Sequence, residues 1–447
     1  MVELKITHGN LVTPQGIVQA DLALKEGRIF AIGDLRDHPK AAAVIDASGL
    51  MVLPGLVDDH VHFREPGLIH KEDIPTGSRA AAAGGVTTVL DMPNTIPPVA
   101  TAEAFRSKRA LIKGRSYVDI GLYGVIVQDN LSELEALARE GAIGLKVFMG
   151  ETTGYIRCPE DGLLLQAMRK AALLGLRVGA HAENDSILQT LKGDLIAQGR
   201  TDPIDHLASR PAFAEEEAIS RGIVLSHAAG CGFHVFHLST KEGLELIARA
   251  KRKGLDVTTE ALVGHLLLDD EHYEKLGNRI RLNPPIRSKA HQDALWNGLR
   301  RGWIDAIATD HAPHTRDEKL TSNVWDAACG FIGVETALPL MLTEVNRGRL
   351  SLETYVRLSS ENPARIWGLY PRKGILQVGS DADLILVDMK AEAFIEGNRL
   401  HNKNTLTPYE GWRVQGLPRY TILRGEVIMA EGELLEPPQG QFLRNRP

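Results

Sequence analysis

Two histidines two residues apart, His60 and His62 with Val61 between them, close an apolar run in the stretch PGLVDDHVHFREPG. In a strand the period of two sends both imidazoles to the same face, which makes them a ready pair of metal ligands. Arg64 follows on the same parity before Pro66 and Gly67 break the strand, and a second apolar run, GVTTVLDMPNT, brings Asn94 to its own C-terminal end. Farther along, Lys146 lies within GLKVFMG, His181 ends RVGAH, His237 ends HVFH, and Asp310 and His314 lie in AIATDHAPH. Taken singly, a histidine in an apolar strand is more often a hydrogen-bonded core residue than a ligand. Repetition at the same end of several apolar runs reverses that expectation. The set suits one or two divalent ions held by imidazole and carboxylate, with open positions for water.

Lys146 sharpens the reading. It is flanked by Leu145, Val147 and Phe148 in a run that reads as a buried strand. An unpaired ammonium there would cost several kcal/mol, so the side chain must be paired, neutral or modified. A salt-bridged core lysine is the plain alternative. Beside a metal cluster a positive charge would repel the ions, whereas a lysine carboxylated by carbon dioxide is an anion whose two oxygens can bridge two metals. The carboxylated form is therefore favoured.

For these groups to meet, the runs that carry them must lie side by side. The middle of the chain alternates strand and helix, with strand patterns at 56–62, 86–91, 118–125, 143–148, 176–181, 233–238, 255–260 and 304–309. Helical patterns fall at 73–83, 101–112, 130–140, 160–174, 212–229, 240–253, 288–301 and 333–347. Such repeats of buried strands point to an α/β fold, a closed (β/α)₈ TIM-type barrel, with a doubly wound open sheet as the alternative. In a barrel the reactive groups belong at the C-terminal ends of the strands, where these residues fall. Both termini read differently. Residues 2–8, 18–24 and 28–33 alternate as short strands between turn signals, and the same signature returns after Lys373. Two terminal sheets packed on each other predict a composite β-sandwich domain of residues 1–53 and 374–447 beside a barrel of 54–373.

Composition narrows the partners. A chain of 447 residues, 43% hydrophobic and 24% charged with a formal net charge of -6, has no basic run for nucleic acid or an anionic membrane surface. Small-molecule substrates fit better. The three cysteines, Cys158, Cys231 and Cys329, are scattered without CxxC spacing, which suggests neither a disulfide framework nor a thiolate zinc site. No export segment or apolar run long enough for a membrane span is evident, so a cytoplasmic protein is expected.

The motifs HxHxREPG, MPNT, GLKVFMG, HAEN, HLST, NPPIR and DHAPH together resemble the dihydroorotase group of the amidohydrolase superfamily, cyclic-amide hydrolases that also include allantoinases and hydantoinases. The resemblance covers essentially the whole chain. It implies two zinc ions, with His60, His62 and Asp310 on one, His181 and His237 on the other, and carboxylated Lys146 bridging both. It implies that zinc-activated water attacks a ring carbonyl while Asp310 passes the proton to the leaving amide nitrogen. Within the group, the HFREPG and MPNT forms are similar to dihydroorotases. Arg64 would then grip a substrate carboxylate, aided by Asn94 and His314, with Asn283 at the ring. The alternatives are a structural ion pair for Arg64 and a turn role for Asn283. The expected activity is interconversion of N-carbamoyl-L-aspartate and L-dihydroorotate in pyrimidine (UMP) biosynthesis, by a homo-oligomer, dimer or tetramer. An allantoinase or hydantoinase is the alternative enzyme, and a catalytically silent scaffold the alternative outside enzymes. One departure is Gly264-His265 where many dihydroorotases carry two adjacent histidines, and His265 is expected to be structural.

Overall fold

The computed structural model describes residues 1–36, 39–152 and 156–445. Eight parallel strands close into a barrel. They are β1 (Leu56–Val61), β2 (Val86–Asp91), β3 (Asp119–Leu122, resumed at Gly124–Val125), β4 (Leu145–Phe148), β5 (Val178–His181), β6 (Phe233–Val235), β7 (Val257–Leu262) and β8 (Ala306–Ala308). Nearly every residue on them is buried, because helices cover the outside and side chains fill the inside, so the strands read as continuous apolar runs rather than alternating ones. Parallel pairing runs around the ring from β1 to β8. The seam closes where His62 N–H donates to His311 C=O at 2.8 Å beside a parallel bridge between Val61 and His311.

Helices return the chain between strands. Ile74–Ala83 starts on a capping box, in which Asp73 Oδ1 accepts from Thr76 N–H at 3.0 Å, and Leu134–Glu140 stops at Gly141, whose φ of 100° suits only glycine well. Two helices between β5 and β6, Asp185–Ala197 and Pro203–Ala208, carry no strong pattern in the sequence. Only Leu188 and Leu195 of the first, and Asp205 and His206 of the second, are buried, so neither shows an apolar stripe.

The inside of the barrel is filled by rings. Phe236, just past β6, stacks on Trp367 with centroids 5.8 Å apart and planes 7° apart, and Tyr123 meets Trp367 edge-on. Gly179 on β5 and Gly144 before β4 make this possible. A Cβ at Gly179 would lie 2.1 Å from Phe236, and one at Gly144 2.5 Å from Trp367.

Beside the barrel, strands from both termini form a β-sandwich. They belong to one sheet, joined edge to edge through a short strand, Met51–Pro54, that pairs antiparallel with Leu384–Val387 and parallel with Asn10 and Leu11. The sheet curls over its own core of Leu4, Ile6, Leu22, Val52, Leu384 and Leu386. Among the described residues, no helix is long and apolar enough to cross a membrane.

Candidate metal centre and substrate cavity

His60 lies on β1 and His62 just past its end; His181 ends β5, and Lys146 is the second residue of β4. His237 and Asp310 each stand two residues beyond a strand, in left-handed backbone with φ of 42° and 45°. Such conformations cost energy in non-glycine residues and are kept where surrounding structure enforces them, often at functional sites.

The side chains converge. Asp310 Oδ1 lies 3.0 Å from His62 Nε2 and 3.4 Å from His60 Nε2, and the three ligand atoms form one compact buried group. The other ring nitrogens settle which form the imidazoles take. His60 Nδ1–H donates to Glu260 Oε1 at 2.6 Å and His62 Nδ1–H to Asn94 Oδ1 at 2.8 Å, so each Nε2 carries a lone pair. Burial holds His60, His62 and His237 well below the ordinary imidazole value of 6.5, which keeps them neutral. Two nitrogen lone pairs therefore face a carboxylate oxygen that has no hydrogen bond and almost no exposure. That arrangement repels itself unless a cation lies among the three atoms, and the donor set of imidazole and carboxylate fits a divalent ion. Next to it, His181 Nδ1 and His237 Nε2 face each other at 3.1 Å. His181 Nε2 lies 3.0 Å from Glu183 Oε2, off the axis of a good hydrogen bond, and Glu183 is paired with Arg210.

Lys146 Nζ is buried without a hydrogen bond, 3.8 Å from the centroid of the Phe236 ring. Burial brings its ammonium down to about 7 against the pull of Glu260 and Asp310. Asp310 moves the other way: burial raises its carboxyl to about 6 although Lys146 and Arg64 oppose this.

A cavity opens at the group, and its lining includes Phe148, Leu282, Ala312 and Cys329 together with the polar Glu151 and Asn283. Arg64 and Asn94 reach it as well, whereas His314 does not. His314 sits behind Arg64, with Nε2 3.1 Å from the guanidinium and Nδ1 3.1 Å from Lys71 Nζ. Asn283 Oδ1 faces His206 Nε2 at 2.8 Å. Glu260, Glu183, His206 and Cys329 were not singled out as site residues by sequence reasoning. Two of them carried a signal: Glu183 is two residues past His181, and Glu260 is the last residue of the expected strand 255–260. His265 Nε2 meets the carbonyl of Pro284 at 3.1 Å, in keeping with a structural role.

The model of the amidohydrolase family matches residues 51–428. This chain belongs to the amidohydrolase family. It is 38% identical to an L-hydantoinase of Paenarthrobacter aurescens, with 100% of this chain and 99% of that one covered. It is 39% identical to an allantoinase of Rubrobacter xylanophilus over 98% of this chain and 97% of the relative. Among solved structures, the L-hydantoinase (dihydropyrimidinase) from Arthrobacter aurescens superposes with a TM-score of 0.97 at 37% identity, covering 99% of this chain and 100% of that one. A D-hydantoinase superposes with a TM-score of 0.94 at 34% identity, covering 100% of this chain and 99% of that one. The protein is accordingly a cyclic amide hydrolase of the amidohydrolase superfamily with a TIM-type barrel and a β-sandwich domain.

These relatives overturn the expectation of a dihydroorotase in pyrimidine biosynthesis. The expectation placed Arg64 on strand parity with His60 and His62. Instead β1 ends at Val61, and Arg64 has a φ of 64° that breaks the alternation. Its Nε donates to the carbonyl of Pro313 at 3.3 Å and its Nη2 contacts His314, which leaves Nη1 alone without a partner.

Proposed function

We propose that this amidohydrolase opens the ring of a five-membered cyclic ureide, with 5-substituted hydantoins as the preferred substrates. The observation that carries the reading is the unpartnered buried Asp310 Oδ1 facing the lone-pair nitrogens of His60 and His62. The full-length similarity to hydantoinases supports the substrate class. His60, His62 and Asp310 would hold one zinc ion, His181 and His237 a second, and carboxylated Lys146 would join them. When bound, such ions supply hydroxide at neutral pH and draw charge from the ring carbonyl. The protein's own groups do the rest. Burial brings Lys146 to about 7, so its neutral amine, the form that adds carbon dioxide, is accessible. Asp310 accepts the proton as the oxygen nucleophile adds to the carbonyl carbon and delivers it to the ring nitrogen as the C–N bond breaks. Phe148 and Leu282 offer an apolar wall to a hydantoin's C5 substituent. Allantoin is the second reading, favoured by Glu151 and Asn283 in the cavity lining, which can meet a ureido group.

The test is ring opening of 5-benzylhydantoin and of allantoin by the purified protein, with metal content measured on the same sample. Hydantoin turnover is expected to exceed allantoin turnover, to vanish on chelation and to return with zinc. Full activity in metal-free protein, or no turnover of either ring, refutes the proposal.

A further inference from the structure

Strand β7 contributes no group to either proposed ion, yet its Glu260 touches both halves of the centre. Its side chain is completely buried. Oε1 accepts from the ring of His60 at 2.6 Å and from the backbone N–H of His237 at 3.0 Å. His60 belongs to the first proposed ligand set and His237 to the second, so a single oxygen atom fixes one member of each. The contact to His60 selects the tautomer that leaves Nε2 free to bind. The contact to His237 helps hold a backbone whose φ of 42° is costly for any residue other than glycine.

The second oxygen is held from below. Oε2 lies 3.3 Å from His234 Nε2, and His234 Nδ1 in turn meets Thr258 Oγ at 2.9 Å. Thr258 Oγ–H points to the carbonyl of Phe233, so Thr258 accepts from His234 Nδ1–H. One proton therefore lies between Glu260 and His234. Whichever of the two carries it, Oε1 remains the acceptor for both N–H groups above.

We propose that Glu260 is a positioning residue that sets the affinity of both metal positions at once, acting through the His60 ring and the His237 backbone. This rests on the reading of His60 and His237 as ligands. What the centre requires of position 260 is an acceptor oxygen at the reach of a glutamate, with charge secondary. Glutamine supplies that oxygen and can donate to His234. Aspartate keeps the acid but withdraws the oxygen by one methylene, and leucine fills the space with no acceptor.

The experiment measures zinc affinity of wild type, Glu260→Gln, Glu260→Asp and Glu260→Leu by competition with a chromogenic chelator. Melting of the metal-free proteins is recorded alongside, to separate folding from binding. Glu260→Gln is expected to hold two ions within a few-fold of wild type. Glu260→Asp and Glu260→Leu are expected to lose 10- to 100-fold in affinity at both positions, the range seen when partners of ligand histidines are removed. If the Leu variant does not fold, the Asp variant carries the comparison. Unaltered affinity in a folded Asp or Leu variant overturns the inference, as does a Gln variant as weak as Leu or a loss confined to one ion. Wild type that binds no metal would instead refute the underlying reading of the site.

Discussion

At the scale of single residues, Lys146 has the least ordinary surroundings: an amine with no hydrogen bond, lying over an aromatic face inside a barrel. Replacing it with alanine is expected to lower metal content and abolish hydantoin turnover, with partial recovery on adding a short carboxylate that occupies the vacated position. Elemental analysis and rate measurement on one preparation check this, and normal turnover in Lys146→Ala would exclude a bridging role. The convergence of His60, His62, Lys146, His181, His237 and Asp310 was legible because each ends, follows or interrupts an apolar run in the same way. Glu183 and Glu260 were harder to see, since a carboxylate that holds an imidazole leaves no pattern distinct from one that pairs with a surface lysine. At Arg64 it was the local backbone that could not be read. Parity continued the strand to it, but the backbone turn that hands Nε to Pro313 and Nη2 to His314 has no signature in the spacing of side chains.

At the scale of elements, the strands that hold the site depend on what is missing from their neighbours. Gly179 on β5 leaves room for the Phe236 ring, which contacts the His60 ring edge-on at 4.7 Å and underlies Lys146. Gly179→Ala would force that ring aside. The expected cost is about 1 to 3 kcal/mol, typical of overpacking a filled core, and metal retention should fall with it because Phe236 adjoins His237 in the chain. Chemical denaturation and elemental analysis check both effects, and a variant as stable and as well metallated as wild type would contradict the packing argument. Strand positions were readable from composition because barrel strands are apolar along their whole length. The helices Asp185–Ala197 and Pro203–Ala208 were not, since burying so few side chains leaves no period to detect. Met51–Pro54 was missed as well. Four residues are too short for alternation to register, although this strand connects the two ends of the sandwich sheet.

At the scale of the whole molecule, a buried charge cluster ties the barrel to the strands that follow it. Lys373 Nζ lies 2.6 Å from both Asp119 and Asp383 and 3.0 Å from Asp381, and Arg424 also pairs with Asp119. Asp119 begins β3, while Asp381 and Asp383 lead into Leu384–Phe394. Burial disfavours the Lys373 ammonium, but the three carboxylates outweigh it and raise its pKa. Lys373→Met would strand those carboxylates in the interior, an expected loss of about 3 to 5 kcal/mol. Equilibrium denaturation measures it, and a loss within about 0.5 kcal/mol, the range of an ordinary surface substitution, would show that the cluster is dispensable. The short strand Met51–Pro54 has a further consequence. Only Gly55 separates it from β1, and a Cβ there would lie 2.1 Å from Thr87, so the polypeptide passes from sheet to barrel through a joint with no slack. A hinge at that point would drag His60 with it. The sandwich is therefore expected to open together with the barrel rather than to fray ahead of it. Amides of Val52 and of Val57 should exchange with one common opening free energy, as members of a single cooperative unit, and the temperature at which the sheet opens should be the temperature at which catalysis ends; an opening free energy several kcal/mol lower at Val52 would contradict this.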